Sequence, residues 1–144
     1  MSYAKFYGFL IAATMLFLAA CGGKTADTNG PVEVKVRLGE FFVESSVTEF
    51  KPNVQYHFIV TNEGVVPHEF MIMPVEMGGM GMGGMSMEEK DARAFMMIPE
   101  EDLPPGATVE MDYTFTSVPE GNIEFVCALP GHFEAGMHSP LTIK

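Results

Sequence analysis

Residues 32–38 read Val-Glu-Val-Lys-Val-Arg-Leu, apolar and charged in strict alternation. Successive side chains of a strand point to opposite faces, so this segment has one apolar face and one charged face; wound as a helix it would spread both around the circumference. The same period recurs in Val54–Thr61, with Tyr56, Phe58 and Val60 on one face, and in Thr108–Thr116. Shorter segments fit the pattern at Phe41–Val43 with Val47, at Phe70 and Ile72, at Ile123–Val126 and at Leu141–Ile143. Turn residues separate them, notably Asn62-Glu63-Gly64 and Pro119-Glu120-Gly121-Asn122. About seven short strands punctuated in this way predict an all-β chain, a β-sandwich. One helix is expected, over Met87–Met96, where Ser86 and Glu89 have capping-box spacing.

The N-terminus reads as an address. Lys5 precedes an apolar run, Phe6–Leu18, which ends in Leu18-Ala19-Ala20-Cys21. A charged start, a short apolar stretch and small residues before a cut describe an export signal, and the run is short for a membrane span. Leu-Ala-Ala-Cys resembles the bacterial lipobox. That resemblance implies a signal peptide over 1–20, a lipidated Cys21 and a lipid anchor in a bacterial membrane. An uncleaved anchor with Cys21 incidental is the alternative. Residues 21–31 are mostly small and polar and suit a tether, which leaves 32–144 as the folded domain. On either reading the domain works outside the cytoplasm, in the periplasm or at the cell surface.

Charge narrows the partners. Of 144 residues, 19 are acidic and 8 basic, a net charge of −11. Nucleic acid and anionic membrane surfaces require clustered Lys and Arg, so neither is expected as a partner. The chain has two cysteines. With lipid on Cys21, Cys127 stands alone, and a lone thiol in an oxidising compartment is a liability unless something occupies it.

Cys127, His132 and Met137 are spaced C-x4-H-x4-M, with Pro130, Gly131 and Gly136 between them. A thiolate, an imidazole and a thioether within eleven residues make a soft N/S ligand set, and the glycines allow the loop to curl around one atom. Such a set suits copper, with two imidazoles and a thiolate binding strongly and a thioether weakly; zinc rarely takes Met. The second imidazole is assigned to His68, in Val66-Pro67-His68-Glu69-Phe70 after a strand and turn. His57, in mid-strand opposite the apolar face, reads as a surface residue, and His138 as a loop residue or a support to the ligands.

These segments together resemble the cupredoxins, the small type 1 copper proteins. The resemblance rests on Val60-Thr61-Asn62-Glu63-Gly64 followed by His68, on Pro104-Pro105-Gly106, on Tyr113-Thr114-Phe115 and on the Cys-Pro-Gly-His-Met loop. The loop spacing is similar to that of auracyanins and rusticyanins, and His-Glu-Phe with Pro-Gly-His-Phe-Glu-Ala-Gly-Met resembles cupredoxins of bacterial copper tolerance. The resemblance implies a Greek-key sandwich or barrel with one short helix in an insertion. It implies one type 1 copper cycling between Cu(I) and Cu(II), held by His68, Cys127, His132 and an axial Met137. It also implies electron exchange through the edge of His132, within an apolar patch of Leu129, Pro130 and Phe133. Many electron-transfer members carry Asn or Ser after the first His; here the residue is Glu69.

From 76 to 87 the sequence is EMGGMGMGGMSM, five Met and five Gly in twelve positions. No helix or strand period explains Met77, Met80, Met82, Met85 and Met87, and so much Gly disfavours both structures. Three readings stay open: a low-complexity cap over the copper end, a secondary thioether site for Cu(I) or Ag(I), and a sacrificial trap for oxidants. Two functions stay open with them. One is a tethered carrier of single electrons serving redox partners. The other is a copper-handling protein of copper tolerance, working with other copper-handling proteins. Neither is an enzyme: the sequence has no His-x-His pattern for a multicopper cluster.

Overall fold

The computed structural model describes residues 30–75 and 85–144. The expected signal peptide, Cys21, nearly all of the tether, and Met77, Met80 and Met82 lie outside them.

Nine strands form two sheets among the described residues. They are β1 (Val32–Gly39), β2 (Phe42–Ser45), β3 (Glu49–Phe50), β4 (Gln55–Asn62), β5 (Phe70–Val75), β6 (Met96–Ile98), β7 (Thr108–Thr114), β8 (Asn122–Val126) and β9 (His138–Ile143). The first sheet has the order β2-β1-β4-β7 and the second β3-β9-β8-β5-β6. Neighbours are antiparallel except β1 with β4, paired from Val32↔Tyr56 to Leu38↔Asn62, and β3 with β9. The seven expected strands are present, six of them within a residue or two at their starts; the last begins at His138, three residues before the expected Leu141. The two additional ones, β3 and β6, are too short to show a period.

The alternation does what it predicts. Val34, Val36 and Leu38 are buried, as are Tyr56, Phe58 and Val60, and the charged residues between the first three face out. Phe50 stands at the centre, its ring 4.8 Å from Tyr56, 5.3 Å from Phe115, 5.9 Å from Phe58 and 6.0 Å from Phe125. His57 lies on the outer face of β4, Nδ1 at 2.7 Å from Asp112 Oδ1.

β5 does not alternate in burial: Phe70, Met71, Ile72 and Met73 are all buried. Phe70 and Ile72 face the main core, while Met71 and Met73 join Val75, Val126, Ala128 and Phe133 in a second cluster. Met85, Ala94 and Met97, which flank helix α1 (Met87–Arg93), pack against that cluster. The capping box forms as its spacing predicts, with the Ser86 hydroxyl accepting from the Glu89 N–H and the Glu89 carboxylate accepting from the Ser86 N–H. The helix ends at Arg93 rather than at Met96. Ala94 is extended, the Phe95 N–H donates to Ile72 O at 2.8 Å, and Met96–Ile98 pairs with Phe70–Ile72. Sheet pairing overrides helix propensity at this point.

Candidate metal centre

The centre is built by two loops at one end of the sandwich. The first connects β4 to β5, and buried Asn62 organises it. Its amide Nδ2 donates to Val66 O at 2.8 Å and to Leu103 O at 2.9 Å, and its Oδ1 accepts from the Gly64 N–H at 2.8 Å. The His68 N–H donates to the same Leu103 carbonyl at 3.2 Å, which fixes where the imidazole leaves the backbone. Gly64 is required by space: a Cβ there would stand 2.8 Å from His68 Nε2 and 2.5 Å from Glu40 Oε1.

The second loop runs between β8 and β9 and closes on itself. The Cys127 N–H donates to Met137 O, the Met137 N–H to His132 O and the His132 N–H to Leu129 O, each at 3.0 Å. Gly136 has φ +107°, and a Cβ there would be 3.1 Å from the Phe41 carbonyl. The contact brings the β1–β2 turn to the same end.

These loops bring together three of the four predicted ligands. His68 Nδ1 lies 3.3 Å from His132 Nδ1, and Cys127 Sγ lies 3.4 Å from the same atom; all three donor atoms fall within 4.8 Å of one another. Donors about 2.1 Å from a shared ion, at trigonal or tetrahedral angles, stand roughly 3.4–3.6 Å apart, so the spacing fits a metal. Met137 is fully buried and belongs to the same core cluster as Cys127.

Electrostatics agrees with the spacing. Burial, followed by the neighbouring His132, pushes His68 below the ordinary imidazole value, against a smaller upward pull from Glu40. His68 therefore presents a neutral ring at neutral pH. Its Nδ1 is turned to the cluster, while Nε2 is buried without a hydrogen-bond partner and faces Glu40 Oε1 at 3.9 Å. That carboxylate is held by the Val65 N–H at 2.5 Å and the Val66 N–H at 3.3 Å. Burial pushes the Cys127 thiol up, while N–H groups of Leu129 and Glu69 donate to its sulfur and oppose the rise. The three potential ligand atoms converge on one point, where a bound cation would be shared by all of them.

The remaining residues divide. Of the proposed surface patch, Pro130 is exposed, Leu129 half-buried and His132 half-buried, but Phe133 is turned inward. It is 8% exposed in the second cluster and stacks on His138, ring centroids 4.3 Å apart. Exposed apolar surface at this end comes instead from Phe41, Val65 and Val66. His57 stays away from the cluster, and His138 Nδ1 pairs with Glu124 Oε2 at 2.7 Å. Of the loop methionines within the described residues, Met85 packs on the second cluster and Met87 is half exposed. Asn62, Gly64 and Glu40 do not stand out as site residues in the sequence. Asn62 and Gly64 sit in a recognised turn, whereas Glu40 gives no local signal.

No family model matches the chain. It is 27% identical over 138 residues to the copper-resistant cuproprotein CopI of Pseudomonas aeruginosa, covering 77% of this chain and 75% of that protein. It is 28% identical over 92 residues to the CopI protein of Rubrivivax gelatinosus and 31% over 93 residues to that of Vibrio cholerae, each match covering 60% of this chain. The chain spans about half the length of these two, 50% and 49%. Among solved structures it is similar to auracyanin A of Chloroflexus aurantiacus, with a TM-score of 0.57 at 18% identity over 80% of this chain and 100% of that one. It is similar also to the auracyanin of Roseiflexus castenholzii, with a TM-score of 0.56 at 18% identity over 80% and 99%. Two sheets in this order, the donor loop between β8 and β9, and the likeness to the auracyanins together give the chain the cupredoxin fold.

Proposed function

We propose that this chain is a copper-binding protein of copper tolerance, working outside the cytoplasm and tethered by lipid on Cys21. The observation that carries the reading is the convergence of His68 Nδ1, Cys127 Sγ and His132 Nδ1 within 4.8 Å. A soft set of imidazoles and thiolate suits copper. The relatives that bear the name copper-resistant cuproprotein support the tolerance role. Copper, when bound, supplies one-electron redox chemistry. His68 and Cys127, both buried, would hold it together with half-buried His132. The role is one of binding, with no catalytic residue.

Met137 is the fourth, weakly binding ligand in this reading. Met137→Leu should keep the visible colour and raise the reduction potential, because a thioether favours Cu(II) more than a hydrocarbon does. Voltammetry checks this, and a lowered potential would argue against Met137 as a ligand.

A single-electron carrier is the second reading. It is favoured by the locked Cys127–Met137 loop, whose backbone hydrogen bonds leave little to move between oxidation states. The 76–87 methionines separate the two. With Met77, Met80, Met82, Met85 and Met87 all changed to Leu, the bulk stays apolar and the sulfur is lost. For a copper-handling protein, the reduced wild type should take up more than one Cu(I) or Ag(I) per chain. The variant should lose the additional, weaker equivalent, and cells carrying it should become copper-sensitive. One equivalent in both proteins with equal tolerance would sink the handling role and leave the electron carrier.

A further inference from the structure

A buried ion pair lies beside the donor cluster. Lys90 Nζ, on α1, donates to Glu69 Oε1 at 2.9 Å and Oε2 at 3.2 Å, with the two side chains 6% and 1% exposed. Glu69 follows His68 directly, and its peptide N–H is one of the two that donate to Cys127 Sγ. One residue therefore touches the centre twice, through the chain to His68 and through its N–H to the sulfur, and Lys90 grips its side chain.

As glue for the helix such a pair is a poor choice. Removing two charges from water costs about as much as their attraction returns, and apolar residues of similar volume stabilise as well or better. α1 has seven residues, too few to persist alone. Its docking already has apolar support from Met85, Ala94 and Met97. Next to a thiolate, a held charge pair does what an apolar contact cannot: it fixes a hydrogen-bond donor and sets the local charge.

We propose that Lys90 is a positioning residue of the metal centre: from α1 it holds Glu69 so that the Glu69 N–H stays on the Cys127 sulfur, and it balances the carboxylate charge beside that sulfur. The inference rests on the copper reading above. It makes the segment before β6 part of the centre's construction, although α1 supplies none of the four ligands assigned to that centre.

The test uses the copper-loaded full domain and three variants. Lys90→Met leaves a negative charge beside the sulfur, which favours Cu(II), so the reduction potential should fall. Glu69→Gln leaves a positive charge, so it should rise. The double variant, Lys90→Met with Glu69→Gln, should lie between them. Shifts of the same sign in the two single variants, or no shift in either, overturn the proposal. Lys90→Met alone strands a buried carboxylate and can fail to fold, whereas the double variant leaves no unpaired buried charge. In the metal-free double variant the amide at position 69 should exchange with solvent roughly tenfold faster than in the wild type, because nothing pins that peptide. Unchanged exchange overturns the proposal. If the wild type takes up no copper, the copper reading fails, and the exchange rate still decides whether Lys90 positions Glu69.

Discussion

Cys127→Ser is expected to abolish the intense thiolate-to-copper band of the Cu(II) protein while leaving the sandwich folded. The sulfur sits in the core at 0% exposure and accepts from the N–H groups of Leu129 and Glu69. A serine hydroxyl is nearly the same shape and can accept from the same donors, so the β8–β9 loop has no reason to open. An alcohol does not ionise near neutral pH, however, and cannot form the covalent metal–sulfur bond that gives the colour. His68 and His132 remain, and two imidazoles alone bind more weakly and without the band. Visible absorption and far-UV circular dichroism on the same sample check both halves. A serine variant that kept the band would remove Cys127 from the ligand set.

Phe50→Ala should do the reverse, costing stability and sparing the site. Phe50 is fully buried and packs on Tyr56, Phe58, Phe115 and Phe125. Loss of a buried phenyl ring leaves a cavity that rigid strands cannot collapse into, a penalty of about 3–5 kcal/mol. Phe50 pairs with Ile143, at the end of β9 away from Met137. The hydrogen bonds that place the donors run through Asn62, Leu103 and the 127–137 loop, and Phe50 takes part in none of them. Folded variant should therefore show the same band as the wild type. Urea unfolding of the metal-free domain measures the loss; a change under about 1 kcal/mol would mean that the rings do not interlock as described.

How much of this was legible beforehand depends on whether the signal was local. The alternation of β1, β4 and β7 is a property of consecutive residues, and so is the capping box at Ser86 and Glu89. The C-x4-H-x4-M loop and His68 could be read because their residue types are soft ligands in a strand-end setting. β3 and β6 could not, since two or three residues carry no period and exist only through their partners. The helix expected over Met87–Met96 overruns the observed one by three residues for the same reason: pairing of Met96–Ile98 with β5 is invisible along the chain. The likeness of the loop puts Phe133 on the surface, but His138 and the second cluster draw it in. Glu69 stands out in the sequence as a departure, yet its partner lies 21 residues away on another element. Electrostatic pairs of that kind become readable only once the fold has set their neighbours.

The parallel pairing of β3 with β9 joins Glu49 to Thr142, nearly the whole length of the domain. Contacts so distant in sequence form slowly, because chain must be closed before any interaction offsets the entropy lost. Cys127 is sealed only in the finished sandwich, where it is buried and free. Until the last strands close, the same thiol is open to oxidants and to mispairing with other thiols. The vulnerable period for this protein is thus its own maturation, and whatever speeds closure of β9 shortens the time during which its most reactive atom is unguarded.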